Sequence, residues 1–206
     1  MNLFSGILPP RSLPQPQLAK ASKLRPKRIV QVTINSGLVV IIPFIVIMLL
    51  RSPHLEPMDW DYDEGINLMK SALIHRGYLL YDEIWSDQPP LLSILLSLSF
   101  TIFGESVAVA RLFVTGFSTL LVGTFYQAVR RGASPLAAIA ASLLLIVSEH
   151  YLRLSGAVMI GLPSIALSVS SIALLLVGHR HTLPLVVSAA LMALALQTKL
   201  MAGLAI

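Results

Sequence analysis

Five long apolar segments dominate the chain, at residues 29–50, 106–129, 135–151, 154–177 and 183–206. Short polar joints separate the last four, and one long loop, 51–105, follows the first. A helix needs roughly 20 apolar residues to cross a hydrocarbon core, so the pattern predicts an all-α, polytopic transmembrane helical bundle. The first segment is too long for a signal-peptide core and no small-residue cleavage site follows it, so it is read as a permanent anchor. A sixth apolar stretch, 89–103, reaches only about 22 Å as a helix. If it lies flat in the outer interface, Arg130, Arg131 and Arg180 fall on the cytoplasmic side; if it spans, they move outside and break the positive-inside rule. The interfacial reading is therefore taken. Trp60, Tyr62, Tyr78, Tyr81 and Trp85 in the same loop suit the headgroup zone.

Within the loop, residues 61–76 show helical amphipathicity. Tyr62, Ile66, Met69 and Leu73 make one apolar stripe; Asp63, Asn67 and Lys70 make a polar one. Asp61 and Glu64 have the spacing of a capping box, and Gly77 supplies the stop. The loop is thus expected to be extracytoplasmic and to carry juxtamembrane amphipathic helices, with Asp63 near the start of one.

Charge sharpens this picture. Apolar residues make up 55% of the chain and only 12% are charged, which excludes an ordinary soluble domain. Of the ten acids, eight fall between Glu56 and Asp87. Residues 1–28 carry six basic residues, five prolines and no acid, the composition of a basic, disordered cytoplasmic tail. The net charge of +5 follows from topology and does not require nucleic acid as a partner. There is no cysteine, which removes thiol chemistry. Residues 29–206 form the membrane domain, and the protein is expected to be a multi-pass integral protein, of the plasma membrane, with its amino terminus in the cytoplasm.

Cations within apolar segments need a reason, since each costs roughly 2.5–3.5 kcal/mol at mid-bilayer. Arg111, Arg153 and Lys199 all fall in the outer half of the bundle in this topology. One account is snorkelling to headgroups; the other is a pocket for an anionic headgroup such as a phosphate. A carboxylate beside such cations suggests transfer chemistry on a lipid phosphate, with the acid taking a proton from an acceptor hydroxyl and the cations steadying the departing phosphate. For Asp59, Asp61 and Glu64 solvation or helix capping is the plainer reading. The D-x-D spacing at Asp59, Asp61 and Asp63 invites a metal, but acids at i and i+2 diverge on a helix, so no metal is assigned. Gly161 and Pro163 interrupt the segment 154–177; a proline kink is tolerated in a bundle, and no chemistry is attached to it.

Several landmarks in order resemble those of the GT-C glycosyltransferases. They are Asp63-Glu64-Gly65, Gly77-Tyr78 with Tyr81, Gln88-Pro89-Pro90-Leu91, Phe103-Gly104-Glu105-Ser106, Arg111-Leu112 and Thr198-Lys199. The chain is similar to protein O-mannosyltransferases and bacterial aminoarabinose transferases. The resemblance implies an inverting glycosyltransferase that moves a sugar from a polyprenyl-phosphate donor to an acceptor hydroxyl at the extracytoplasmic membrane face, without a cofactor. The acceptor is not identified, and membrane lipid is the surrounding partner. The resemblance also implies that Asp63 is the catalytic base and Glu64 its support. Gln88, Arg111, Arg153 and Lys199 are the candidates for binding substrate or lipid phosphate.

Two departures stand out. Family members often have Lys before Pro-Pro, where this chain has Gln88. They often have an acid near the start of the fourth span, where it reads Met159-Ile160-Gly161-Leu162-Pro163. Family members are longer, and this chain stops at Ile206 inside an apolar run, so it is expected to be the amino-terminal part of such an enzyme. The competing expectations are a multi-span transporter or permease with the outer acids gathering cations, and an inactive truncated remnant.

Overall fold

The computed structural model describes residues 26–51, 62–178 and 181–205, with side chains from Gly37 onward apart from Val177 and residues 203–205. The tail at 1–25 and the acids Asp59 and Asp61 lie outside the described residues. The chain divides into an amino-terminal unit, Met1–Asn35, and a larger unit, Ser36–Ile206. All site residues belong to the latter.

Every regular element among the described residues is helical. α1 is Pro26–Arg51, α2 Tyr62–His75, α3 Leu91–Phe103 and α4 Val107–Gly132. α5 is Pro135–Val147, α6 Glu149–Gly156, α7 Gly161–Gly178 and α8 Thr182–Thr198, followed by a 3₁₀ turn, Leu200–Ala205. The local reasons are conventional. Ser106, Ser134 and Ser148 each accept a backbone N–H at the start of α4, α5 and α6. Gly77, at φ 97°, ends α2, with the Tyr78 N–H returning to the Leu73 carbonyl at 3.1 Å. The predicted stop at Gly77 and the helical reading of 61–76 and 89–103 agree with these elements.

α4 is long and apolar enough to cross a membrane by itself; α5 and α6 pass the same test only as a pair bent by 68°. The expected single segment 135–151 is therefore two helices hinged at Ser148, which caps both. The expected segment 154–177 is also two: α6 ends at Gly156, four residues intervene, and α7 starts at Gly161. Pro163 sits in the first turn of α7, where a proline costs no internal hydrogen bond. Likewise 183–206 stops at Thr198; Lys199 is extended (φ −151°, ψ 124°) before the 3₁₀ turn.

Two apolar cores hold the larger unit. In one, Val40, Phe44 and Met48 of α1 meet Leu121, Val122 and Tyr126 of α4, with Ile146, Leu152, Leu162 and Ala166 from α5 to α7. In the other, Leu92, Leu96 and Phe100 of α3 meet Ala110 and Val114 of α4 and Val158. α7 packs most extensively on α8 and α4, and there the glue is small and polar. Ser171 and Ser188 exchange hydroxyl-to-carbonyl bonds of 2.8 and 2.9 Å, and Ser164 donates to the Ala195 carbonyl at 3.1 Å. Such hydroxyl and small-residue seams are the mode of helix association where burial of apolar area gives no driving force. The outward faces remain apolar, for example Val39, Ile42 and Leu49 on α1 and Leu112 on α4.

α2 is oriented opposite to the rule for a helix in water. Tyr62, Ile66 and Met69 of its apolar stripe are exposed, while Asn67 and Lys70 of its polar stripe are buried. Its far end is tied to the α3–α4 turn by Arg76 and Glu105, 2.9 Å apart.

Candidate active site

The inward polar stripe of α2 opens onto a cavity of about 190 Å³. Asp63, Asn67 and Lys70 line it from this helix. Their i, i+4, i+7 spacing sets them along about 10 Å of helix axis. Trp85, Asp87 and Gln88 come from the loop before α3, Met159, Ile160 and Gly161 from the α6–α7 break, and Lys199 from the end of α8. The two interruptions absent from the apolar pattern, at 157–160 and at Lys199, thus supply one side of the cavity. The amino terminus of α7 starts there, a place where unpaired N–H groups and the helix dipole favour an anion. A Cβ on Gly161 would meet nothing within 4 Å, so the backbone is open to the cavity at that point.

Asp63 lies in the first turn of α2 and is solvent-accessible, and its neighbour Glu64 turns the other way. Glu64 is 3% exposed. It accepts from Arg111 through Nε and Nη2, both at 2.9 Å, and from the Val158 N–H at 3.1 Å. The Glu64 carboxylate is thus engaged with α4 and the α6–α7 break, while Asp61, its expected capping partner, lies outside the described residues. Arg111 is correspondingly held by Glu64 and is not among the cavity-lining residues. Arg153 is not there either: on α6 it joins Glu149 at 3.0 Å, and Arg51 of α1 meets the same carboxylate at 3.1 Å. Of the six candidates, the structure brings Asp63, Gln88 and Lys199 to one cavity, sets Glu64 and Arg111 behind it as a pair, and leaves Arg153 in a separate ion cluster.

Lys70, which the sequence marks only as part of the polar stripe, joins Lys199 as a cation of the cavity. Its side chain is 8% exposed, lies 5.7 Å from the Trp85 ring centroid, and donates to Ser86 at 3.1 Å and Asp87 at 3.4 Å. The hydrogen bond from Gln88 holds the Asp87 carboxyl below its usual range, helped by a backbone bond and by Lys70. The signal for Lys70 was its shared face with Asp63. Lys199 has no ion-pair partner among the described residues.

The loop carrying Gln88 is tightly organised. Among the described residues, Tyr81 is the non-glycine residue with positive φ, 74°. Its N–H bonds the Ile84 carbonyl at 2.8 Å and its hydroxyl donates to the Gln88 carbonyl at 2.8 Å. A left-handed conformation costs a tyrosine free energy and persists only where neighbours hold it, and it sets Gln88 at the cavity mouth. Among the described residues, no three of His, Cys, Asp or Glu gather closely enough to hold a metal ion.

A family model described as dolichyl-phosphate-mannose-protein mannosyltransferase matches residues 87–206. The match includes Gln88, Arg111, Arg153 and Lys199 and begins after α2, so Asp63, Glu64 and Lys70 precede it. No curated protein and no solved structure matches the chain.

Proposed function

The chain belongs to the dolichyl-phosphate-mannose-protein mannosyltransferase family of membrane glycosyltransferases, and from that premise we propose that the cavity under α2 is where a sugar leaves a polyprenyl phosphate for an acceptor hydroxyl. Members of the family are integral membrane proteins that use a lipid-linked sugar. In this reading the acceptor oxygen attacks the anomeric carbon, the carbon–oxygen bond to phosphate breaks on the opposite side, and the configuration inverts. Asp63 receives the acceptor's proton. Polyprenyl phosphate departs toward Lys199, Lys70 and the amino terminus of α7, where positive charge meets the charge that develops on the leaving oxygen. Gln88 adds a neutral hydrogen-bond donor. Glu64 and Arg111 act from behind by holding α2 against α4, and Arg153 has no part in the cavity. The site faces the extracytoplasmic side of a multi-pass domain at 29–206, preceded by a basic cytoplasmic tail at 1–28. The outward apolar stripe of α2 supports a place for this helix at the membrane surface, since it suits lipid better than water.

The observation that carries the proposal is the convergence of Asp63, Lys70, Gln88 and Lys199, from three separate parts of the chain, on one cavity. The test is Asp63→Asn, assayed in membranes with polyprenyl-phosphate mannose and a hydroxyl-bearing peptide. Loss of a general base should lower the transfer rate about 100- to 10,000-fold while donor binding persists. An unchanged rate removes Asp63 from the reaction, and substrate uptake without sugar transfer would favour a transporter.

A further inference from the structure

Val158 sits at the centre of a three-residue turn. The Met159 N–H returns to the Ala157 carbonyl at 2.8 Å, and the Val158 side chain is fully buried. Neither backbone polar group of Val158 has a helical partner, and buried backbone groups must be paired. Both are satisfied from α2, by side chains one turn apart. Glu64 accepts the Val158 N–H at 3.1 Å, and Asn67 donates from Nδ2 to the Val158 carbonyl at 2.9 Å. Asn67 is 4% exposed. The Ser71 hydroxyl in turn donates to the Asn67 carbonyl at 2.7 Å.

Two bonds of opposite polarity, to the two faces of one residue, fix both the height and the rotation of the turn relative to α2. What the turn carries next is the cavity wall: Met159, Ile160 and Gly161 follow immediately. What α2 carries next to Glu64 is Asp63. We propose that Asn67 is a positioning residue for the transfer reaction, indexing the wall at residues 159–161 against the helix that presents Asp63. This rests on the transferase reading of the cavity. Glu64 is also engaged by Arg111, whereas the Asn67 amide nitrogen, on a side chain that also lines the cavity, bonds the turn.

The absence of cysteine gives the test a clean background. Met159→Cys is introduced into the full chain, and its reaction rate with a small water-soluble thiol reagent is followed in wild type, Asn67→Leu, Asn67→Asp and Ser71→Ala. Leucine removes the donor at similar volume, and aspartate sets an acceptor against the carbonyl. Both Asn67 variants are expected to change the labelling rate severalfold, and Ser71→Ala to leave it unchanged while lowering thermal stability. In the transfer assay the Asn67 variants should lose kcat by about tenfold to a hundredfold, the scale of a misplaced reacting group, with the KM for donor little altered. Unchanged labelling in both variants overturns the proposal, as does an equal change in Ser71→Ala, which would mean general loosening of α2. Altered labelling in a chain that transfers no sugar would overturn the transferase reading and leave the Asn67 tether standing.

Discussion

Replacing Glu64 with alanine removes a carboxylate that accepts three hydrogen bonds, from Arg111 twice at 2.9 Å and from Val158 at 3.1 Å. Each bond to a charged group contributes about 1.5–3 kcal/mol taken singly, but three bonds to one carboxylate are not independent. The two side chains are only 4% and 14% exposed, so water screens them little, and breaking a buried pair by removing one partner costs about 3–5 kcal/mol. For a chain of this size each kcal/mol moves the midpoint by about 2–4 °C. Glu64→Ala should therefore lower Tm by about 6–20 °C for the chain in mild detergent, followed by circular dichroism. The double variant Glu64→Leu/Arg111→Met should lose less than the sum of the two single variants, because each single variant breaks the same pair. A loss below about 1 kcal/mol, the value of an exposed ion pair, would refute the assignment, and so would strict additivity in the double variant.

Two further outcomes follow from the fold. A Cβ at Gly178 would run into the Pro184 ring, so Gly178→Ala should destabilise the α7–α8 hairpin by about 1–3 kcal/mol; Gly132→Ala, with nothing within 4 Å of the new carbon, should be neutral or slightly stabilising in the same unfolding assay. The Asp87 carboxyl titrates below its ordinary value of 3.8, so its tether to Lys70 is present above that value and is lost as pH falls through the lower one. In a Trp60→Phe background, Trp85 emission should hold steady from about pH 8 to about pH 5 and shift only below about pH 4, and Asp87→Asn should abolish that shift.

The apolar pattern located the helices well because length and hydropathy are local properties. α3 and α4 start and end within three residues of the expected limits, and α2 lies within the stretch expected to be helical. The polar stripe of α2 also pointed to the cavity, since Asp63, Asn67 and Lys70 share a face. What hydropathy could not convey was interruption. Residues 157–160 and Lys199 lie within runs apolar enough to pass as continuous helix, and only Gly156, Gly161 and Pro163 hinted otherwise. Pairing was equally hidden. Depth in the bundle, and for Arg111 a family landmark, says nothing of pairing, whereas the setting of Arg111 and Arg153 depends on Glu64 and Glu149, which lie 47 and four residues away. Lys70 drew no attention because a lysine on a polar face is ordinary until a tryptophan and a carboxylate close over it.

The hydroxyls between α7 and α8 have an effect well beyond their own seam. Ser171 and Ser188 satisfy each other's backbone and side chain at once, so sliding one helix past the other by a single turn would break every one of these cross-helix bonds. The seam therefore favours the observed alignment of the hairpin. That alignment sets how far Lys199, at the tail of α8, stands from Gly161, at the head of α7. The spacing of an ammonium from a helix terminus thus depends on two serines well away from either, so substitutions there should change that spacing, and with it the proposed phosphate site, without touching the cavity itself.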